Sequence, residues 1–172
     1  MKYRGLLIIG AGVYSSVAYE VASEMECFDK IGYIDDKAEV AFDGTPVLGT
    51  FDDLQELHAD YDSVFVAIGN PVVRKSIVEK LRKNTGYILV TLVSPRSHLS
   101  PSADIGEGCI VEAMAVVNSR AVIGTAVLLC AGSVVNHAAV VYPYSQIDCN
   151  ATVAGGATVP EGTKVESNTV FR

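Results

Sequence analysis

The chain has 172 residues, of which 49% are hydrophobic, and its formal net charge is −7. The hydrophobic share is ample for a packed core, and the negative charge argues against nucleic acid or an acidic membrane surface as a partner, because both attract clustered positive charge. Apolar stretches such as residues 64–68 have the length of strands and fall far short of the roughly 20 residues that a membrane span needs. We therefore expect a soluble cytoplasmic protein without a cleavable signal or a membrane span.

The four cysteines show no spacing typical of a metal site. They lie at positions 27, 109, 130 and 149, without a Cys-x-x-Cys pair or a Cys/His cluster. We expect free thiols in a reducing compartment and no bound metal.

The N-terminal part of the chain alternates predicted strands with predicted helices. Apolar runs typical of parallel strands covered on both faces occupy residues 5–9, 30–34, 63–68 and 87–93. Helical patterns lie between them, at 15–25, 52–58 and 71–81, the first with Ser15-Ser16 as its candidate cap. This alternation predicts an α/β domain with a parallel sheet over residues 1–94.

Small and polar residues follow three of these strands directly. They are Gly10, Ala11 and Gly12, then Asp35 and Asp36, then Gly69 and Asn70. Because open parallel sheets bind ligands at the carboxyl ends of their strands, these residues are candidates for a ligand site. A lone Gly-x-Gly is more often a plain turn, and so is an Asp-Asp pair, so both interpretations stay open.

A strict six-residue repeat begins just after the composition changes at residues 94–97. Its first position is always Leu, Ile or Val, from Leu99 through every sixth residue to Val165, and its fifth position is small or Val. A period of six fits neither a helix nor a half-buried strand, but it fits a triangular coil with three repeats per turn. The pattern predicts a parallel β-helix of about four coils over residues 95–172, with the aliphatic position inside and the small fifth position at the corner.

The whole chain resembles the bacterial hexapeptide-repeat sugar acyltransferases, in particular sialic acid O-acetyltransferases and UDP-4-amino-sugar N-acetyltransferases. The motifs that carry the resemblance are Ile8-Ile9-Gly10-Ala11-Gly12, Ile34-Asp35-Asp36, Ala67-Ile68-Gly69-Asn70, Ser133-Val134-Val135-Asn136-His137 and Ala154-Gly155. The resemblance implies a Rossmann-like N-terminal domain, a left-handed parallel β-helix, acetyl-CoA as co-substrate, and a homotrimer with sites between neighbouring β-helices.

The resemblance also implies roles in the β-helix. His137 matches the catalytic base, which takes a proton from the sugar amine or hydroxyl, and imidazole suits this task because it titrates near neutral pH. Gly155 matches a backbone N–H that meets the thioester carbonyl of acetyl-CoA. Asn136 and Gln146 match positions at the cofactor, of which Gln146 replaces a second histidine.

In the N-terminal domain, the resemblance implies a site for a sugar nucleotide. Asp35 and Asp36 match the positions that hold the base and the ribose. Gly10, Ala11 and Gly12 match a loop whose N–H groups face phosphate, with Gly69 and Asn70 beside the same crevice.

Several positions depart from the pattern of the family. The acid that normally follows the catalytic histidine is Ala138 here, and Gln146 can donate a hydrogen bond but cannot shuttle a proton. The usual aliphatic-Gly step is Val141-Tyr142, so Tyr142 and Tyr144 form either a subunit contact or a wall of the acceptor pocket. His58 and His98 are expected on the surface.

Two functions therefore stay open. The first is an acetyl-CoA-dependent acyltransferase that moves an acetyl group to an amino or hydroxyl group of a nucleotide-linked or sialic-type sugar. The second is a weak or inactive relative that binds a sugar nucleotide or serves as a scaffold. The intact repeat and Asn136-His137 favour the first function, and the missing acid at Ala138 favours the second.

Overall fold

The computed structural model describes residues 2–84 and 86–172 and divides the chain into two compact units, residues 1–90 and 91–172. Each unit has its own sheets and its own buried residues. The chain divides between Val90 and Thr91, a few residues before the predicted boundary at residue 94.

The N-terminal unit is built on a parallel sheet of four strands. The strands are β1 (Leu6–Ile9), β2 (Ile31–Ile34), β3 (Ser63–Val66) and β4 (Ile88–Leu89), in the order β2-β1-β3-β4. Leu6 pairs with Ile31 on one side and with Ser63 on the other. All residues of β1 and β3 are buried, as expected for central strands with both faces covered.

Helices connect these strands. They are α1 (Val13–Glu24), α2 (Leu54–Leu57), which follows a 3-10 turn at Phe51–Asp53, and α3 (Pro71–Asn84). The predicted cap at Ser15-Ser16 was wrong, because α1 begins earlier and Gly12 is its N-cap residue. The Ser15 and Ser16 hydroxyls instead donate to the carbonyls of Gly12 and Val13.

The predicted strand over residues 87–93 is two short strands. β4 pairs with β3 in the N-terminal sheet, whereas β5 (Leu92–Val93) pairs with a strand of the second unit. One apolar run thus serves two sheets, and hydrophobicity alone does not show where a run divides.

The second unit is a parallel β-helix whose short strands stack coil on coil to form three sheets. Sheet I contains β5, β8 (Ile110–Val111), β11 (Leu128–Leu129), β14 (Gln146–Ile147) and β17 (Lys164–Val165). Sheet II contains β6 (His98–Leu99), β9 (Val116–Val117), β12 (Val134–Val135), β15 (Thr152–Val153) and β18 (Val170–Phe171). Sheet III contains β7 (Asp104–Ile105), β10 (Val122–Ile123), β13 (Val140–Val141) and β16 (Thr158–Val159).

The strand register equals three six-residue repeats. Val122 pairs with Val140, and Val140 pairs with Thr158, so each strand lies beside the strand one coil later. The aliphatic first positions from Val111 to Val165 are buried inside, as predicted. They form one continuous column of apolar contacts, which a single coil could not provide alone.

The corners turn at the fourth position of each repeat, not at the fifth as predicted. Every sixth residue from Gly108 to Asn168 has a left-handed backbone, with φ between 53° and 71°. Only four of these eleven residues are glycine. A left-handed non-glycine residue is disfavoured by about 1–2 kcal/mol. The stack compensates, because nine of the eleven corner N–H groups donate to a carbonyl of the preceding coil, as from Ala138 to Ser119 at 2.9 Å, and the Arg120 N–H donates to the Ser102 hydroxyl. The small fifth position points inward because the backbone has just turned there.

Candidate active site

The N-terminal unit contains a cavity of about 550 Å³ at the carboxyl ends of its strands. Gly10, Asp35 and Asp36 of the predicted nucleotide site line it. The other four predicted residues do not line the cavity but directly follow residues that do: Ala11 and Gly12 follow Gly10, and Gly69 and Asn70 follow Ile68. The remaining lining residues are Ile9, Ile34, Lys37, Thr50, Phe51, Asp52, Val73, Ile77 and Lys80. The fold thus gathers the predicted strand ends around one concave surface.

Asp35 connects the loops that follow β1 and β2. One carboxylate oxygen accepts from the Ala11 N–H at 2.9 Å, and the other accepts from the N–H groups of Lys37 and Ala38 at 2.9 and 3.0 Å. Burial alone would raise the pKa of Asp35, but these backbone hydrogen bonds outweigh it and lower the pKa. Asp35 therefore carries a negative charge that fixes the shape of the cavity floor.

Asp36 and the 3-10 turn place an aromatic ring at the cavity. One oxygen of Asp36 accepts from the Phe51 N–H at 3.0 Å, and Asp53 accepts from both the N–H and the hydroxyl of Thr50 in a capping box. The Lys80 ammonium of α3 lies 5.8 Å from the centre of the Phe51 ring. An aromatic face with a nearby cation is a surface on which a planar base can stack.

Gly10 and Asn70 have clear structural roles. Gly10 has a φ of 104°, and a Cβ there would lie 3.2 Å from the Ala67 carbonyl oxygen. Only glycine fits such a backbone without strain. Asn70 caps α3, since its side-chain oxygen accepts from the N–H groups of Val72 and Val73 at 3.0 and 3.2 Å. Both residues shape the loops beside the cavity.

His137 lies on the β-helix at the corner between sheets II and III. It follows β12, and its side chain is exposed. Gly155 occupies the equivalent place one coil later, and a Cβ on it would lie 2.9 Å from both Cε1 and Nε2 of the imidazole. The structure thus brings together the predicted base and the predicted oxyanion contact, and the missing side chain of Gly155 is what leaves room for the ring.

The backbone around His137 is held by the neighbouring coils. The His137 carbonyl accepts from the Gly156 N–H at 3.0 Å, and the Ala138 N–H donates to Ser119 at 2.9 Å. Asn136 lies beside it and accepts at Oδ1 from the Asn118 amide at 3.2 Å. These bonds fix the position of the imidazole along the corner.

Gln146 lies on a different face of the same chain. It belongs to β14 in sheet I, and its Nε2 donates to the Cys130 sulfur at 3.7 Å. Burial, with nearby Glu112, strongly raises the pKa of the Cys130 thiol, so this cysteine is an unreactive protonated neighbour. Within one chain, the structure does not place Gln146 at the corner that carries His137.

Two further predictions concern exposure. Tyr142 is 49% exposed, whereas Tyr144 is buried within its own unit, so the two tyrosines do not form an exposed pair. His58 is partly buried, and its ring lies edge-on to the Tyr87 ring, with 4.8 Å between the ring centres. The prediction of a surface residue was therefore wrong in part. His98 is exposed, as predicted.

The sequence did not single out Phe51, Lys80 or Arg74. Each comes from an element far along the chain from β1, and only the fold brings it to the strand ends. Among residues 2–84 and 86–172, no group of three acidic, histidine or cysteine side chains could hold a metal ion. In the same ranges, no helix is long and apolar enough to cross a membrane.

Comparison with known proteins shows which class of protein combines a parallel α/β unit with a β-helix of this kind. The family described as the PglD N-terminal domain matches residues 5–81. The acetyltransferase domain of PglB from Neisseria gonorrhoeae FA1090, in complex with acetyl coenzyme A, is 30% identical with a TM-score of 0.83, and the alignment covers 97% of this chain and 87% of that one.

A second similar structure is a histidine-to-asparagine mutant of perosamine N-acetyltransferase from Caulobacter crescentus, in complex with CoA and GDP-perosamine. It is 28% identical with a TM-score of 0.85, over 93% of this chain and 76% of that one. WeeI from Acinetobacter baumannii AYE, at 21% identity and a TM-score of 0.67, shows the fold alone. This chain belongs to the hexapeptide-repeat sugar acetyltransferase family and is an acyltransferase.

Proposed function

We propose that this protein transfers an acetyl group from acetyl-CoA to the amino group of a nucleotide-linked sugar. The observation that carries the proposal is the contact between His137 and Gly155 at one corner of the β-helix. The complexes of similar enzymes with acetyl-CoA and with CoA and GDP-perosamine support the same pair of substrates. In this proposal the N-terminal unit is a Rossmann-like nucleotide domain, and the β-helix is left-handed.

The proposed reaction is a direct transfer. The sugar amine attacks the thioester carbonyl, and His137 takes the proton that the nitrogen loses as the new C–N bond forms. The Gly155 N–H stabilises the negative charge on the carbonyl oxygen. The C–S bond then breaks and CoA leaves as a thiol after gaining a proton, so that no acyl-enzyme forms. Asn136 and Gln146 are proposed to contact the cofactor.

The assembly proposed for the active enzyme is a homotrimer. His137 lies on a corner and Gln146 on a separate face, so a site that contains both needs a neighbouring copy. Sedimentation equilibrium should give three times the monomer mass, and a monomer would contradict the assembly. For this activity we also propose a cytoplasmic location.

The test of the activity is acetyl transfer by the wild type and by His137→Gln. We expect CoA release with acetyl-CoA and one or more UDP- or GDP-linked amino sugars, and a loss of about 10²–10⁴-fold in the variant, as for removal of a general base. His98→Gln, at another exposed position of the β-helix, is the matched control and should keep full activity. Equal rates for His137→Gln and the wild type would contradict the proposal.

Ala138 supports a second candidate, a binding protein of low activity. Without an acid beside it, the imidazolium formed at His137 is less stabilised. For this candidate, nucleotides would raise the melting temperature, because a ligand that binds the native state stabilises that state. CoA would not be released from acetyl-CoA with any acceptor sugar.

A further inference from the structure

The loop after β3 is held by a buried cation. Arg74 of α3 is fully buried, and its Nη1 donates to the carbonyl oxygens of Ile68 and Gly69 at 2.7 and 2.8 Å. Removing a charged group from water is unfavourable unless it gains good hydrogen bonds. The loop that Arg74 holds leads directly from Ile68, which lines the cavity, to the start of α3.

This arrangement also fixes where the loop N–H groups point. In a trans peptide the C=O and N–H point in opposite directions, and the structure has no cis peptide among residues 2–84 and 86–172. With the carbonyls of Ile68 and Gly69 turned to the buried guanidinium, the N–H groups of Gly69 and Asn70 point to the exposed side. Within those described ranges, neither N–H donates to another protein group.

The glycine in this loop has no explanation from the protein itself. Gly69 does not have a left-handed backbone, and a Cβ placed on it would meet nothing within 4 Å. Gly12, after the neighbouring strand β1, shares both properties. Glycine is entropically unfavourable in the folded chain, so two such positions at adjacent strand ends fit a ligand that must approach the backbone closely.

We propose that Arg74 is a positioning residue for phosphate recognition. By holding the Ile68 and Gly69 carbonyls, it presents the adjacent N–H groups of Gly69 and Asn70 as donors to the diphosphate of the sugar nucleotide. Successive backbone N–H groups of this kind form a concave site for an anion. The inference rests on the proposed function, because the cavity beside the loop is the proposed nucleotide site.

The test compares ligands with and without phosphate. Calorimetry measures the binding of UDP, uridine, GDP and guanosine to the wild type, Arg74→Lys and Gly69→Ala. Lysine keeps the charge but cannot hold two carbonyls with a planar fork. In both variants we expect the dissociation constant of whichever diphosphate the wild type binds to rise about tenfold, the size of a lost charge-assisted hydrogen bond. The dissociation constant of the corresponding nucleoside should stay within about twofold of the wild-type value.

Gly69→Ala separates this effect from damage to the fold. The added methyl group has room and a compatible backbone, so the melting temperature should stay the same or rise slightly, while diphosphate binding weakens. Arg82→Lys, at an exposed position on the same helix, is the matched control for Arg74→Lys and should bind like the wild type.

The outcomes separate the two proposals. If Arg74→Lys weakens nucleoside and diphosphate equally, or weakens neither, Arg74 only maintains the cavity and the inference is wrong. If Gly69→Ala leaves diphosphate binding unchanged, the exposed N–H groups are not donors to phosphate. If the wild type binds none of the four ligands, the nucleotide site of the proposed function fails, and this inference fails with it.

Discussion

Ala138 is the residue at which the chemistry of the proposed site is least complete. It directly follows His137, and its φ of 55° places it at a left-handed corner. Asp and Asn accept this backbone more readily than other non-glycine residues. An acid can therefore be introduced at this corner without rebuilding it.

We expect Ala138→Asp to increase kcat, by up to about tenfold, because a carboxylate near the imidazolium stabilises the charge that forms during proton transfer. Ala138→Asn has nearly the same shape without the charge and serves as the control. A similar gain in both variants would show that the corner backbone, not the acid, limits the rate.

At the scale of the element, Gly155 tests whether the spacing between coils matters for catalysis. Its replacement by Ala puts a methyl group 2.9 Å from two atoms of the imidazole, so the His137 ring must move. Because the ring is exposed, it can move at little cost in stability. We expect a melting temperature close to that of the wild type and a kcat lower by about tenfold or more, as for a small misplacement of a catalytic group.

Acetyl transfer and thermal melting of Gly155→Ala, with Ala154→Gly as the neighbouring control, check this prediction. Unchanged kcat in Gly155→Ala would mean that the imidazole position at this corner is not the catalytic one.

The elements also show why sequence analysis succeeded in one part and not in another. The six-residue repeat predicted the buried columns because each coil repeats the same contacts with its neighbours. It did not predict the left-handed fourth position, since residues as different as Met114, Arg120 and Tyr144 occupy it. What holds that backbone is a hydrogen bond to the preceding coil, which no local residue preference reveals.

In the candidate site too, local features could be predicted from the sequence and features that depend on three-dimensional packing could not. The strand ends at Gly10, Asp35 and Asp36 could be predicted, because a strand end is a local pattern. Phe51 and Lys80 could not, because their meeting depends on how the 3-10 turn and α3 pack in three dimensions.

At the scale of the whole molecule, the carboxylates of the N-terminal unit make its stability depend on pH. Asp62 accepts from the N–H groups of Arg4 and Gly5; burial would raise its pKa, but these hydrogen bonds outweigh burial and lower it. The backbone N–H of Thr45 is the main cause that lowers the pKa of Asp43. Since these groups are more acidic when folded, their contribution is complete above the unfolded pKa of about 4 and is lost as pH falls through the folded pKa.

Asp62→Asn tests this dependence. At pH 7 we expect its melting temperature to lie about 4–8 °C below that of the wild type, the shift for a loss near 1 kcal/mol in a unit of this size. The difference should shrink as the pH is lowered from 5 to 3, because Asp62 of the wild type then becomes protonated. Asp52→Asn, at an exposed position, is the control. A difference that stays constant with pH would show that the charge of Asp62 does not stabilise the fold.

The register of the β-helix limits how this protein can change in length. A strand pairs with the strand three repeats later, so His137 and Gly155 meet because they are one full coil apart. Adding or removing one residue within a coil would turn aliphatic side chains outward. Adding or removing one repeat would keep the pattern of buried residues but move every later residue to the next face. Only a change of eighteen residues, one whole coil, restores every later face, so insertions and deletions that preserve both fold and active corner come in units of a coil.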